Sequence, residues 1–113
     1  ESPGSAYWVA EIDNEIVGGG GIFPTQGLDP DCVELVKFYL LPKARGKGFG
    51  KELLLHCISG AKELGYHSMY LETMPELTTA VPLYEKTGFR HLTAPLGNSG
   101  HFACSIWMQR PLI

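Results

Sequence analysis

The sequence predicts an α+β domain (α/β-like), a mixed sheet with helices packed on it. Three observations predict it. Apolar-rich stretches at residues 7–12 and 15–23 flank a two-residue turn. A strand at 32–41 leads through a glycine-rich turn into an amphipathic segment at 49–64. A further strand, helix and two strands follow. The order reads β-β-β-α-β-α-β-β, without internal repeat or low-complexity segment.

Each element has its own reason. Residues 1–5 read as a disordered tail. Asp13 and Asn14 are a turn because Asn and Asp tolerate positive φ, which makes 7–23 a hairpin. Gly18 to Gly21 stand inside its second strand, where side chains are expected; a run without them marks a bulge or a close approach of backbone or ligand. Residues 24–31, with Pro24 and Pro30, form a loop. Residues 32–41, rich in Val, Leu, Phe and Tyr, form a central strand ended by Pro42. Apolar residues at 53, 54, 57, 58, 61 and 64 define one face of a helix over 49–64, with Gly65 as its C-cap. Residues 68–73 form a strand. Residues 78–87 form a second helix closed by Gly88, with Pro82 in its first turn, where the missing N–H costs little. Residues 89–93 and 101–109 form the last two strands.

The 113 residues suffice for one domain, so residues 1–113 are read as a single unit. A formal charge of −3 and a pI near 5.7 argue against nucleic acid or an anionic membrane surface as partner. No apolar run approaches the length of a membrane span, and no leader pattern is legible. Cys32, Cys57 and Cys104 contain no C-x-x-C pair and read as small buried hydrophobes in a reducing, cytoplasmic setting. His56, His67, His91 and His101 lack metal-ligand spacing, and His101 and Cys104, three apart in a strand, point to opposite faces. No metal is expected. The aromatics Trp8, Tyr39, Phe102 and Trp107 read as core or sheet-face residues.

The chemistry concentrates in Pro42-Lys-Ala-Arg-Gly-Lys-Gly-Phe-Gly-Lys51. Gly46, Gly48 and Gly50 leave backbone N–H groups uncovered where a helix begins, and those groups have no partner inside the helix. The helix dipole adds positive potential there, and Arg45, Lys47 and Lys51 add full charges, so the stretch is suited to a diphosphate. A Walker loop is excluded because Gly46-Lys47 and Gly50-Lys51 are followed by Gly48 and Glu52 rather than Ser or Thr. A dinucleotide fingerprint starting at Gly46 would need glycine where Lys51 stands.

The stretch R-G-K-G-F-G resembles the R/Q-x-x-G-x-G/A signature of the GNAT (Gcn5-related N-acetyltransferase) superfamily, with Arg45, Gly48 and Gly50 at its fixed positions. The likeness extends from about Tyr7 to the C-terminus. Residues 33–42 resemble the strand before the family's loop, Tyr70-Leu-Glu-Thr73 its next strand, and Leu83-Tyr-Glu-Lys-Thr-Gly-Phe89 the end of its second conserved helix. The resemblance implies a mostly antiparallel mixed sheet with flanking helices and a central splayed pair, here 32–41 and 68–73. The pantetheine arm of acetyl-CoA would lie in that gap, against backbone groups of Phe38, Tyr39 and Leu40. The diphosphate would rest on Arg45, Gly46, Lys47, Gly48, Phe49, Gly50 and Lys51.

The implied reaction is acetyl transfer from acetyl-CoA to a primary amine by direct attack on the thioester. An amine of pKa near 10.4 is mostly protonated at neutral pH, and removing its proton costs about 4–5 kcal/mol. Glu34 stands where the histone-acetylating members resemble one another in carrying a general base, and Glu72 is the second candidate. Tyr84 matches the tyrosine that in many members lies beside the cofactor sulfur and protonates the leaving thiolate; packing between helix and sheet is its other use.

The chain departs from the family by starting at what resembles the second strand, without the usual N-terminal strand and helices. Cofactor binding is less affected by that than recognition of the acceptor, expected to be a small-molecule or peptide amine. It also leaves a sheet edge exposed, which favours pairing with another chain, such as a homodimer. A non-catalytic acyl-CoA-binding module is the competing reading.

Overall fold

The computed structural model describes residues 4–46, 48–74, 80–96 and 106–112. Strands β1 (Ala6–Ile12), β2 (Glu15–Phe23) and β3 (Cys32–Leu40) lead through a 3-10 turn, Pro42–Ala44, into helix α1 (Phe49–Glu63). Strand β4 (Ser68–Thr73), helix α2 (Val81–Lys86) and strands β5 (Arg90–His91) and β6 (Ile106–Pro111) follow. The strands form one six-stranded sheet in the order β1-β2-β3-β4-β6-β5. β3 and β4 are parallel, and every other described pairing is antiparallel. The mixed α+β architecture agrees with the sequence expectation.

Local chemistry explains the boundaries. Asp13 and Asn14 both take positive φ, 51° and 67°, so the β1–β2 link is a two-residue turn whose twist suits a hairpin. Gly65, at φ 91°, ends α1: its N–H bonds the Lys62 carbonyl and the Tyr66 N–H bonds that of Ala61, the doubly bonded Schellman termination. Leu64, expected on the buried face, is half-exposed because the helix stops at Glu63 and the chain turns away there. α2 is shorter than expected, with Pro82 in its first turn; residues 78 and 79 lie outside the described residues. β5 covers two residues of the expected 89–93, because Phe89 leaves the strand to enter the core. Of the expected strand 101–109, residues 106–109 belong to β6; residues 101–105, with His101, Phe102 and Cys104, lie outside the described residues. Gly4, read as part of a disordered tail, accepts a hydrogen bond from the Tyr66 hydroxyl at 2.7 Å.

One face of the sheet carries both helices. Val33 and Leu35 of β3, Met69 and Leu71 of β4 and Met108 of β6 join Leu54, Cys57, Ile58, Tyr84 and Phe89 in a single buried cluster. Full burial of a side chain such as Leu54 contributes about 1.5–3 kcal/mol. The opposite face carries the partly exposed Tyr7, Val9, Phe23 and Tyr39.

The glycine run of β2 is a place of close approach. A Cβ on Gly20 would lie 2.8 Å from Phe38 Cδ1 and 3.3 Å from Cys57 Sγ; one on Gly18 would lie 2.8 Å from the Tyr39 carbonyl oxygen. The expected bulge is present twice. β2 carries one extra residue, Val17, against β1. β3 carries one extra residue between Val36 and Tyr39, while β2 has only Gly20 between their partners. In the second bulge Lys37 takes φ 54°, a conformation that costs a non-glycine residue about 1–3 kcal/mol.

Candidate functional site: a splayed strand pair at the start of a helix

β3 and β4 pair over three rungs, Cys32 with Ser68, Val33 with Met69 and Glu34 with Tyr70. Beyond Glu34 the pairing stops although both strands continue, so a V-shaped gap opens with Glu34 and Tyr70 at its vertex. The Lys37 bulge lies on the gap side of that vertex and bends β3. It also resets which side chains face the helices. Val33 and Leu35 face them before the bulge, Phe38 and Leu40 after it: Phe38 packs on the core, and Leu40 Cδ2 lies 3.9 Å from a Cβ placed on Gly50.

Past the gap, the chain reaches the start of α1. Gly48 is its N-cap at φ 84°, with no side chain bonding the free N–H groups; the first backbone bond of α1 runs from Glu52 to Gly48. The N–H groups of Phe49, Gly50 and Lys51 therefore lack a partner within the helix. Gly46 takes φ 78°, and a Cβ on Gly46 or Gly48 would meet nothing within 4 Å. The ground in front of these amides is open, and uncovered N–H groups at a helix start are suited to an anion. Arg45 is exposed and its Nε donates to the Leu40 carbonyl at 3.1 Å, which fixes the guanidinium between the end of β3 and the loop. Lys51 is exposed on the first turn; Lys43 pairs with Glu15; Lys47 lies outside the described residues.

Of the three backbone positions expected along the gap, Leu40 is partly engaged. The Leu41 N–H bonds the Val17 carbonyl of β2, so the trans peptide turns the Leu40 carbonyl the other way, where Arg45 takes it. Tyr39 pairs with Gly19, and Phe38 lies within the bulge.

Tyr84 lies on the helix-bearing side. Its ring is 6.0 Å from that of Phe38 and 5.8 Å from that of Phe89, and it is 5% exposed. Burial, and then the neighbouring Cys57 thiol, push its pKa up to about 12, so the hydroxyl keeps its proton at any ordinary pH. Both uses foreseen for this tyrosine are compatible with that position. Cys57 is itself pushed up to about 12 by burial, which leaves a neutral thiol rather than a nucleophile.

Glu34 lies on the other side of the sheet. Strand alternation turns it away from Val33 and Leu35, and it is 2% exposed. Its carboxylate accepts a hydrogen bond from Thr25 Oγ1. On the same face of β4 the Tyr70 hydroxyl donates to Glu72 Oε2 at 2.6 Å and accepts from the Leu96 N–H at 2.9 Å. The two carboxylate candidates are thus brought to one face of the gap, and Tyr84 approaches from the opposite one. Sequence reasoning missed Thr25 and Tyr70. A Tyr-x-Glu spacing in a strand places both side chains on one face, which was the available signal for Tyr70.

Among the described residues no group of three or more His, Cys, Asp and Glu could hold a metal. His67 lies 3.5 Å from Asp31, and His91 lies 2.8 Å from Glu85, both at the surface. No described helix is long and apolar enough to cross a membrane.

Comparison with known proteins agrees with this geometry. The model of the acetyltransferase (GNAT) family matches residues 1–89. An Escherichia coli K12 protein named uncharacterized N-acetyltransferase YjgM is 48% identical over 110 residues, 97% of this chain and 66% of that protein. The chain therefore spans slightly less than two thirds of that relative's length. A GNAT-family acetyltransferase from Staphylococcus aureus Mu50 superposes with a TM-score of 0.87 at 26% identity, over 98% of this chain and 70% of that one. The yncA protein of Salmonella typhimurium, solved with its cofactor acetyl-CoA, superposes with a TM-score of 0.79 at 25% identity, over 97% of this chain and 66% of that one. With its splayed strands, open helix start and matching family model, the chain belongs to the GNAT acetyltransferase family.

Proposed function

We propose that residues 1–113 form a single domain that binds acetyl-CoA and moves its acetyl group to a primary amine. The observation that carries this reading is the uncapped start of α1, with open ground before Gly46 and Gly48, next to two strands that part beyond Glu34. The N–H groups of Phe49, Gly50 and Lys51, with Arg45 and Lys47, would hold the diphosphate. The backbone of Phe38 and Tyr39 would align the pantetheine amides as a pseudo-strand. Bound acetyl-CoA supplies an activated thioester.

The chain's own groups then divide the work by face. Glu34, at the vertex, takes the proton of the ammonium; at 2% exposure it does so through an intervening water. The neutral amine forms its bond to the acyl carbon as the carbon–sulfur bond breaks, while a backbone N–H of β3 faces the carbonyl oxygen. Tyr84 donates a hydrogen bond to the departing sulfur from the other face. With its pKa near 12, full transfer of the phenolic proton to a thiolate of parent pKa near 8.5 is uphill. Tyr84 therefore stabilises the thiolate; the attacking nitrogen sheds its second proton as the amide forms, that proton completes the CoA thiol, and the first passes from Glu34 to water. The described thiols Cys32 and Cys57 are free and buried, in keeping with a reducing, cytoplasmic setting.

Calorimetry with acetyl-CoA, followed by release of CoA thiol with L-aspartate, spermidine and a lysine peptide as acceptors, tests the reading. Heat and thiol release are expected. Binding without thiol release would favour the non-catalytic module, and the absence of any heat would end the assignment.

A further inference from the structure

Tyr70 has no part in the chemistry set out above, and its bonded hydroxyl sets it apart from a plain filler of the core. It is completely buried, yet its hydroxyl makes two hydrogen bonds to separate parts of the chain. One holds Glu72 two residues along β4, and the other holds the backbone of Leu96, beyond β5. Its strand partner across the vertex is Glu34. Glu34 in turn is bonded by Thr25 from the β2–β3 loop. Three segments distant in sequence, 24–28, the vertex of the gap and 92–96, thus meet on the face away from the helices. Burial first, and then the bond to Glu72, push the Tyr70 hydroxyl's pKa up, and the Glu34 charge acts in the same direction from nearby. A phenylalanine would fill the same volume, so the hydroxyl is there for its two partners.

We propose that Tyr70 is a positioning residue for the amine side of the site, holding the Glu72 carboxylate and the 92–96 segment in one arrangement beside the vertex of the gap. The inference rests on the acetyltransferase reading. Both bonds meet at one hydroxyl: removing it withdraws a hydrogen bond from the Glu72 carboxylate and another from the Leu96 amide in a single change. The diphosphate ground at α1 and the backbone of β3 touch neither partner, so cofactor affinity stands apart from this network.

Tyr70→Phe, Glu72→Gln and the double variant form the test, with spermidine and L-aspartate as probe acceptors. For Tyr70→Phe, the amine KM should rise about tenfold, the loss expected of a hydrogen bond to a charged partner. The acetyl-CoA Kd from calorimetry should stay within about twofold, and the double variant should cost no more than the worse single one, as coupled residues do. Amide hydrogen exchange at Leu96 should accelerate at least about tenfold in Tyr70→Phe, a readout that needs no turnover. Equal shifts of the amine KM, the acetyl-CoA Kd and the thermal midpoint would reduce Tyr70 to a packing residue and overturn the proposal. So would wild-type amine kinetics with unchanged Leu96 exchange. Failure of wild-type protein to bind acetyl-CoA would instead remove the acetyltransferase reading, while the Leu96 exchange would still decide whether Tyr70 holds that segment.

Discussion

Gly18 to Gly21 in β2 and Gly46, Gly48 and Gly50 ahead of α1 are both glycine runs, and the space around them differs completely. In β2 an added methyl would collide with Leu40, Tyr7, Phe38 or backbone carbonyl oxygens. Before α1, an added methyl on Gly46 or Gly48 would meet nothing, and both residues need positive φ. Gly50 is intermediate, touching Leu83 at ordinary distance. The first run lets the molecule approach itself, and the second leaves room for something else. Substitutions in β2 should therefore cost stability, and those before α1 should cost binding.

Gly48→Glu gives the sharpest form of that contrast. A carboxylate placed where a diphosphate would rest should weaken acetyl-CoA binding more than about a hundredfold, measured by calorimetry, with about 1–2 kcal/mol of stability lost to the positive φ. If Gly48→Glu bound acetyl-CoA normally, the open ground before α1 would have no role in the diphosphate's capture. Gly18→Val should do the reverse: about 2–3 kcal/mol of stability lost in urea denaturation, because the Tyr39 carbonyl cannot move aside cheaply. A Gly18→Val protein as stable as the parent would break the comparison from the other side.

The sequence made the second half of this contrast legible more readily than the first. Arg45, Gly48 and Gly50 carry a spacing with a physical meaning, and the Asp13-Asn14 turn and the Gly65 cap are marked by residues that tolerate positive φ. Lys37 carries no such mark. Its positive φ is imposed by tertiary pairing between β2 and β3, so the bulge that bends the strand was invisible in a Val-Lys-Phe-Tyr run. The bulge expected from the glycines was correctly sensed, but its cause lay partly in the partner strand. Thr25 was passed over because it stands in a loop, and Tyr70 because a tyrosine among apolar strand residues reads as core; their partners lie nine and twenty-six residues away. Glu34, Tyr84 and the loop were all legible, but their division between two faces needed the sheet.

Two smaller effects sharpen the comparison at Tyr84, which packs between Phe38, beside the crowded glycine run, and Phe89. Tyr84→Phe should lower turnover about tenfold and leave acetyl-CoA affinity within about twofold, since a hydrogen bond to a charged leaving group is lost and no volume is. Turnover unchanged at neutral pH would leave Tyr84 with packing alone. The same variant should flatten the alkaline stability profile. Between the ordinary tyrosine value of 10.0 and about 12, the folded chain retains a proton that the unfolded chain has released. Stability contributed by this group is therefore complete below pH 10 and declines, on the order of 1 kcal/mol per pH unit, as the pH rises toward 12. Denaturation midpoints at pH 9, 10 and 11 measure it, and Tyr84→Phe should remove this share of the slope.

The extra residue in β3 works as a phase slip. Odd-numbered side chains face the helices up to Leu35, and even-numbered ones from Phe38 onward. Removing one amino acid at Lys37 would leave Phe38 opposite Gly20 in an unbroken pleat, with Phe38 and Leu40 still toward the helices and Tyr39 still on the bare face. What the deletion would take away is the bend, so β3 would run on straighter past Glu34, beside the strand it now parts from. The inserted residue thus shapes the gap without seating the helix, and the two can be edited separately.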